Sequence, residues 1–161
     1  MAAVQCTFGA VDFARRVTAL QAKEAPNRLA AHWRDALVKQ AVIQRALALR
    51  QERPALFARG SYVPVTASGP MAAHVVAFVR SHGSTHCLVV VPRLPAKLLP
   101  DDDTINIPAD VWRRTTLHLP HEVACAKLRD AINDGCIGPV GGSTLVGDVL
   151  RGFPVALLTS G

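Results

Sequence analysis

Glycine and proline are distributed very unevenly along this chain of 161 residues, and the distribution limits the folds that it can adopt. One proline and one glycine precede Pro54, whereas ten of each lie from Pro54 onward. Helix interiors exclude both residue types, and tight turns use them. The sequence therefore predicts a helical first part and a turn-rich second part that begins near Gly60.

Two helices are predicted in the first part. One covers Val11–Ala25, which has few helix breakers and must end before Pro26. Asn27 is then predicted to cap a long amphipathic helix over Leu29–Arg53. Apolar residues recur there every three or four positions, which predicts one broad buried face. The residues of this face are Val38, Val42, Ile43, Ala46, Leu47 and Leu49.

After Gly60 the apolar period changes from about 3.6 residues to two, and Pro, Gly, Ser and Asp separate short β-branched runs. A hairpin is predicted at Ser81–Thr85, around Gly83. Because no long helix separates the runs, they favour an antiparallel sandwich or barrel over a parallel sheet. The predicted elements are strands at Ser61–Ala67, Val75–Arg80, His86–Val91, Thr115–Leu119, Ala126–Ile132 and Pro154–Leu158, and a helical turn at Leu145–Leu150.

The predicted fold class is α+β, with a helical segment over residues 1–59 and an antiparallel β domain over residues 60–161. Half of the residues are hydrophobic, which is enough to build a core. No apolar stretch approaches the length of a membrane span, and four scattered cysteines without a C-x-x-C pair do not fit a disulfide scaffold. We expect a cytoplasmic chain with reduced thiols and no membrane contact.

The net charge of +6 belongs to the helical part, where ten basic residues face four acidic ones. Clustered Lys and Arg raise nucleic acid as a partner. Against that, the aromatic residues of this part are few, and we expect at least two of Phe8, Phe13 and Trp33 in the core rather than stacked on bases. Nucleic acid is therefore not the expected partner, and the arginines are expected to face solvent or another domain.

Asp101, Asp102 and Asp103 form the acidic run of the sequence. A catalytic pair needs two carboxylates that face one reaction centre from a rigid scaffold. Three adjacent carboxylates on a proline-flanked loop do not offer this arrangement. The run is predicted to be a solvated loop.

His82, His86 and Cys87 flank the predicted hairpin turn and are candidates for a zinc site. Zinc requires a third or fourth convergent ligand, which this spacing does not supply. We expect solvent-facing histidines beside a buried strand cysteine.

His121 and Glu122 begin like a metalloprotease helix, but Cys125 stands where the second histidine is required. His118 lies near His121, but this pair also lacks the third or fourth convergent ligand that a metal requires. The glycine-rich stretch Gly138–Ser143 lacks both phosphate-loop spacings and is predicted to be a flexible loop. The sequence therefore predicts no catalytic residue, no metal site and no cofactor, and it leaves substrate-binding residues unknown.

An ordered set of short motifs extends from about Val11 to Leu158. In order and spacing this set resembles the carboxy-terminal part of the maltooligosyl trehalose synthase family. The motifs are Lys39-Gln40; Arg45-Ala46-Leu47-Ala48-Leu49-Arg50; Pro54-Ala55-Leu56-Phe57 with Gly60, Tyr62 and Pro64; Ala77-Phe78-Val79-Arg80; Val89-Val90-Val91-Pro92-Arg93; Trp112 with Thr115, Leu117, Leu119 and Pro120; and Phe153-Pro154-Val155-Ala156-Leu157-Leu158.

The resemblance implies an α-amylase-like enzyme whose catalytic (β/α)₈ barrel is followed by an antiparallel β-sandwich. Such an enzyme is an isomerase of trehalose biosynthesis, which converts the reducing-end α-1,4 bond of a maltooligosaccharide into an α,α-1,1 bond by intramolecular transglucosylation. Its catalytic carboxylates lie on the barrel, so the resemblance implies none of them here. Residues Gln5 to Ala10 depart from the family pattern, and we expect this chain to be the tail of a longer protein.

Two functional hypotheses follow. In the first, the chain is a structural and interdomain module, inactive alone, whose exposed helix faces around Phe13 and Val17 favour self-association when the barrel is absent. In the second, it is a free-standing glucan-binding module. Tyr62 and Trp112 are the candidate aromatic platforms, although each is expected in the core.

Overall fold

The computed structural model describes residues 12–101, 103–137 and 141–160. The helices that precede the sheet are α1 Phe13–Ala22, α2 Pro26–Leu29, α3 Leu37–Glu52 and α4 Pro54–Arg59. Two single-turn helices lie among the strands, α5 His121–Ala124 and α6 Val146–Val149. The strands are β1 Ser61–Ser68, β2 Val75–His82, β3 Thr85–Pro92, β4 Thr116–His118, β5 Leu128–Asp130, β6 Cys136–Ile137, β7 Ser143–Leu145 and β8 Ala156–Ser160. The α+β fold class is confirmed.

The described strands form one curled sheet in the order β6-β5-β8-β3-β2-β1-β4-β7, and every described pair is antiparallel. The first half of β1 pairs with β2, whereas its end, from Thr66 to Ser68, pairs with β4. β2 and β3 form the predicted hairpin, and Gly83 adopts the positive φ of 57° that its tight turn needs. Because β1 changes partner along its length, from β2 to β4, the sheet can curl around the hydrophobic core.

The main core lies on the inner face of this sheet. Val75, Ala77 and Val79 alternate inward along β2, as a strand with one buried face requires. Trp112, which precedes β4 in a 3₁₀ turn, is fully buried in the same cluster. The predicted core position of Trp112 is confirmed.

The helices cover part of the outer face. Leu49 and Leu56 pack with Cys87 of β3. Arg80 of β2 fixes the end of α4, because its Nε and Nη2 atoms donate hydrogen bonds to the carbonyl oxygens of Leu56 at 3.3 Å, and of Phe57 and Gly60 at 3.0 and 2.9 Å. The guanidinium group thus supplies donors to carbonyls at the carboxyl end of α4, where a helix runs out of backbone donors. The helices and the sheet are joined by both apolar and polar contacts.

The predicted helix over Leu29–Arg53 is wrong in its first part. A 3₁₀ segment follows α2, and Ala36 then adopts a left-handed conformation with φ of 64° before α3 begins. Asp35 stabilises this break, because its Oδ1 accepts a hydrogen bond from the Leu37 N–H at 2.9 Å. Asn27 does not cap a helix either: α2 begins with Pro26 at its first turn and has no side-chain cap.

The predicted buried face of α3 is narrower than expected. Val38 and Leu49 are buried, but Ile43 is 48% and Leu47 is 50% exposed. These two side chains lie on the side of α3 next to α1, where α1 leaves a groove rather than a closed contact. The α1 helix buries none of its residues, and Phe13 is 74% exposed.

Two short strands were not predicted, β6 and β7, and the strand predicted over Ala126–Ile132 is reduced to β5. The helical turn expected at Leu145–Leu150 is present as α6. No helix in the described ranges combines the length and the apolar character that crossing a membrane requires. The division into residues 1–59 and 60–161 stays a prediction.

Candidate functional site

The acidic run connects a surface loop to the helical part. Asp101 and Asp103 are exposed, and Asp102 lies outside the described residues. Asp103 accepts a hydrogen bond from Arg34 Nη1 at 2.8 Å through its carboxylate and one from Trp33 Nε1 at 3.2 Å through its carbonyl oxygen. The two described residues of the run are thus exposed, as predicted, and Asp103 contacts the residues before α3.

The hairpin candidates do not converge on one point. His82 is exposed, and Cys87 is fully buried against α3 and α4. His86 was expected to face solvent, and this is wrong, because its side chain is buried with Nδ1 2.9 Å from Ser81 Oγ. The backbone N–H of His86 donates a hydrogen bond to Ser160 Oγ at 2.9 Å. Neighbouring residues of a strand point to opposite faces, so His86 and Cys87 do not ligate one ion.

Two further histidines make local contacts. On α5, His121 Nε2 lies 3.8 Å from Cys125 Sγ, one helical turn away. On β4, His118 Nε2 lies 2.7 Å from Ser68 Oγ. No group of three or more His, Cys, Asp or Glu residues able to hold a metal ion occurs in the part of the chain that the structure describes.

The glycine-rich stretch lies between α5 and α6. Gly138 falls outside the described residues, and Gly141 has a positive φ of 64°. The Gly142 carbonyl accepts a hydrogen bond from the Leu119 N–H at 3.0 Å, which leads the chain into β7. The described half of this stretch is a turn that positions an edge strand.

Among the aromatic candidates, Tyr62 is not in the core. Its side chain is 56% exposed on the outer face of β1, and its ring centroid lies 4.8 Å from that of Phe78 on β2. The expectation of a buried Tyr62 is therefore wrong. Pairing explains its position, because Tyr62 is opposite Arg80, and both alternate with the inward residues of their strands.

The most buried carboxyl group belongs to Asp130, at the end of β5. Its Oδ1 accepts hydrogen bonds from the Ile132 N–H at 2.9 Å and the Leu157 N–H at 3.4 Å, and its Oδ2 accepts one from Asn133 Nδ2 at 3.1 Å. Burial raises the pKa of Asp130, and these hydrogen bonds offset part of the rise. The carboxyl group holds a turn together, and its oxygens are directed at protein donors.

Asp134 and Glu52 line a small cleft of about 210 Å³ between α3 and the sheet. Asp134 accepts a hydrogen bond from Arg45 Nη1 at 2.8 Å and has Arg129 Nη2 at 3.5 Å. The carboxylate of Asp134 is thus ion-paired with two guanidinium groups. These ion pairs have a structural role, because they connect α3 to the turn between β5 and β6.

A larger concavity of about 900 Å³ lies between α1 and α3. Its apolar floor includes Leu20, Ile43 and Leu47, each more than one-third exposed. Arg16, Lys23 and Lys39 line the same groove, and no Asp or Glu is among the lining residues. We call this surface the α1–α3 groove.

The described fold and surfaces define a class: an α+β module in which helices pack on the outer face of a curled antiparallel sheet and leave an apolar, basic groove open. Its polar clusters are engaged in turns, caps and ion pairs.

Relatives of the chain share one name. Two proteins from two strains of Mycobacterium tuberculosis, provisionally named maltooligosyl trehalose synthase, are each 36% identical to it over 110 residues. The match covers 68% of this chain and 11% of the relative. The structure of a mutant maltooligosyltrehalose synthase from Arthrobacter ramosus covers 94% of this chain at a TM-score of 0.64 and 29% identity. No protein-family model matches the chain.

These comparisons confirm the resemblance that the sequence motifs indicate: this chain is similar to the carboxy-terminal portion of maltooligosyl trehalose synthases. The chain spans only 11% of the length of the curated relatives and 17% of the structural relative.

Proposed function

We propose that this chain is the carboxy-terminal structural and interdomain part of a maltooligosyl trehalose synthase and is inactive alone. A separate catalytic (β/α)₈ domain would carry the isomerase reaction on maltooligosaccharides, in the cytoplasm and within trehalose biosynthesis. The observation that carries this proposal is the extent of the structural match: 94% of this chain matches only 17% of a full relative, with 29% identity.

The chemistry of the described carboxyl groups also supports the proposal. A retaining glycosidase-type reaction needs two carboxyl groups about 5 Å apart across the scissile bond. Asp130 is closed in by three N–H donors, and Asp134 is ion-paired with two arginines. Both carboxyl groups are thus engaged with protein donors.

The direct test is to incubate the purified chain with maltohexaose and analyse the products for a non-reducing α,α-1,1-linked sugar. We expect none, while a full-length maltooligosyl trehalose synthase run in parallel forms it. Formation of the product by the pure chain would overturn the proposed inactivity.

A chimera tests the structural role. The segment of the Mycobacterium tuberculosis relative that matches this chain is deleted in one variant and replaced by this chain in another. We expect the deletion to abolish soluble, active enzyme and the replacement to restore it. If the deletion variant keeps full activity and stability, this portion is not a required structural part.

The exposure of Tyr62 favours one second candidate, a glucan-binding surface. An exposed ring beside a second aromatic ring offers apolar area and a hydroxyl group to a sugar. Calorimetric titration of the chain with maltohexaose, compared with its Tyr62→Ala variant, is the test. Trp112 fluorescence is a poor reporter, because its ring is fully buried. Absence of binding at millimolar sugar would reject this candidate.

A further inference from the structure

We propose that the α1–α3 groove seats an amphipathic helix of the catalytic portion of the same enzyme, with acidic residues flanking the apolar face of that helix. This inference rests on the proposed function, because it names the partner that the helical part contacts. Four features of the groove support it: its apolar floor, the marginal contacts of α1, the charge of its rim and its length.

The apolar floor of the groove comes from two helices, and exposed apolar residues continue along α1 beyond it. Phe13, Val17 and Leu20 follow one another at spacings of four and three residues, so they share one face of α1. Their exposed fractions are 74%, 53% and 38%. Leu20 lines the groove together with Ile43 and Leu47 of α3, which are 48% and 50% exposed. Exposed apolar side chains grouped in one groove are typical of an interface.

The α1 helix lacks the contacts that would hold a helix of its length in place. It has ten residues and buries none of them. Its attachments are polar: Gln40 Nε2 donates to the Arg16 carbonyl and Gln44 Nε2 to the Leu20 carbonyl, each at 2.9 Å. Arg15 also pairs with Asp35 at 3.3 Å, in a contact that is largely exposed. Helices shorter than about 12 residues are marginal without tertiary packing. An occupant of the groove would supply that packing.

The charge of the rim selects the occupant. Arg16, Lys23 and Lys39 line the groove, and none of them forms an ion pair within the described ranges. A second copy of this chain, related by a two-fold axis, would set two basic rims against each other. A partner with carboxylates beside its apolar face would instead neutralise the rim. Charge complementarity therefore favours an acidic partner over self-association.

The shape indicates a helix. The lining residues run along α3 from Ala36 to Gln51, which is about 22 Å of helix at about 1.5 Å per residue. The α3 wall accommodates about four turns of another helix, of which about two would also lie beside the wall from Arg16 to Lys23, in the manner of helix-in-groove recognition. Most of the polypeptide of the structural relative lies outside the matched 17%, so a family enzyme has ample chain to supply it.

The test uses a fluorescein-labelled helical peptide of about 18 residues with a Leu and Ile face flanked by Glu, and a matched peptide flanked by Lys. Fluorescence anisotropy with the full chain measures binding. We expect the Glu peptide to bind at least about tenfold more tightly than the Lys peptide, because three ion pairs of modest strength together give that factor. We also expect the difference to shrink as salt rises from about 50 to about 500 mM.

Matched variants locate the binding. Ile43→Glu with Leu47→Glu should abolish peptide binding, and Lys39→Glu should weaken the Glu peptide and strengthen the Lys peptide. Lys97→Glu, an exposed lysine in a distant 3₁₀ turn, is the control and should change neither. Circular dichroism confirms that each variant keeps its fold. Equal binding of both peptides, or binding unaffected by the groove variants, overturns the proposal.

Other occupants give different results. A dimer in light scattering that the Ile43→Glu, Leu47→Glu variant makes monomeric assigns the groove to a second copy and overturns the proposal. Groove-dependent sedimentation with vesicles of phosphatidylcholine and phosphatidylserine assigns it to a membrane surface and also overturns it. If the chimera stays active when it carries the groove variants, the groove proposal is rejected and the proposed function is kept. If the chimera is inactive but the chain still binds the Glu peptide selectively, the proposed function is rejected and the helix-binding groove is kept.

Discussion

The curled sheet and the α1 helix differ in how far the chain itself covers their apolar side chains. Leu88 and Leu117 in the sheet are completely buried, whereas α1 has no buried residue. The main core thus lies within the sheet, whereas α1 is attached through polar contacts of Gln40, Gln44 and Asp35 and borders an open groove. Burial is therefore concentrated in the sheet, while α1 keeps its apolar side chains at the surface.

A pair of leucine substitutions measures this difference most directly. Leu117→Ala should lower the free energy of unfolding by about 2–5 kcal/mol, because it leaves a cavity in a fully packed site. Leu20→Ala on α1 should change it by only about 0.5 kcal/mol, since Leu20 is 38% exposed and alanine favours helix. Urea denaturation of both variants checks this. Similar losses at the two sites would contradict the comparison.

A pair of glycine substitutions compares the packed end of the sheet with an open turn. An alanine Cβ at Gly147 of α6 would lie 2.6 Å from the Ala109 carbonyl oxygen, which is backbone and cannot move away easily. Gly147→Ala should therefore cost about 1–3 kcal/mol. Gly142→Ala is the control, because nothing lies within 4 Å of its Cβ. A shift in thermal midpoint for Gly142→Ala as large as that for Gly147→Ala would show that the close approach is unimportant.

The buried carboxyl group of Asp130 gives the sheet a pH dependence. Its pKa is raised by burial, so the folded state holds the proton more tightly than the unfolded state does. Stability from this group falls as pH rises from the ordinary aspartate pKa through the raised one. Asp130→Asn removes this loss, so the variant should gain stability relative to wild type over that window. The gain is about 1.4 kcal/mol for every tenfold difference in proton affinity between the folded and unfolded states.

Urea denaturation at several pH values from about 3.5 to about 7 checks this prediction. The protein should tolerate the amide group of Asp130→Asn, because the buried Oδ1 of Asn133 has no hydrogen-bond partner. If the side-chain amide of Asn133 flips, this Oδ1 can accept a hydrogen bond from the new amide. Asp130→Ala is the matched variant, and it should destabilise at every pH by leaving the Ile132 N–H unpaired. A constant difference between Asp130→Asn and wild type would refute the pH argument.

Cysteine labelling sharpens the comparison without changing stability. Burial raises the pKa of Cys87 to about 12, and its side chain is inaccessible between β3 and the helices. Cys125 and Cys136 are exposed. With iodoacetamide at about pH 8, both exposed thiols should be alkylated while Cys87 is protected until the chain unfolds. Peptide mass spectrometry reads each site, and early modification of Cys87 would show that the helices open from the sheet.

The sequence by itself determined the elements whose patterns are local. The period of two located β1, β2 and β3, Gly83 located the hairpin turn, and Pro26 and Pro54 limited the helices. These signals are local because side-chain alternation and proline geometry act within a few residues. The ordered motifs also pointed to the family before any contact was known.

Only the tertiary structure decided features that depend on distant partners. Ala36 carries no breaker signal, yet it ends one helix and begins another because Asp35 and Trp33 bond to the backbone around it. β6 and β7 exist through pairing with β5 and β4, since two or three residues do not form a strand alone. Ile43 belongs to the apolar pattern of α3, but whether it is buried depends on what lies across the groove. Periodicity identifies an apolar face, and only packing decides what covers it.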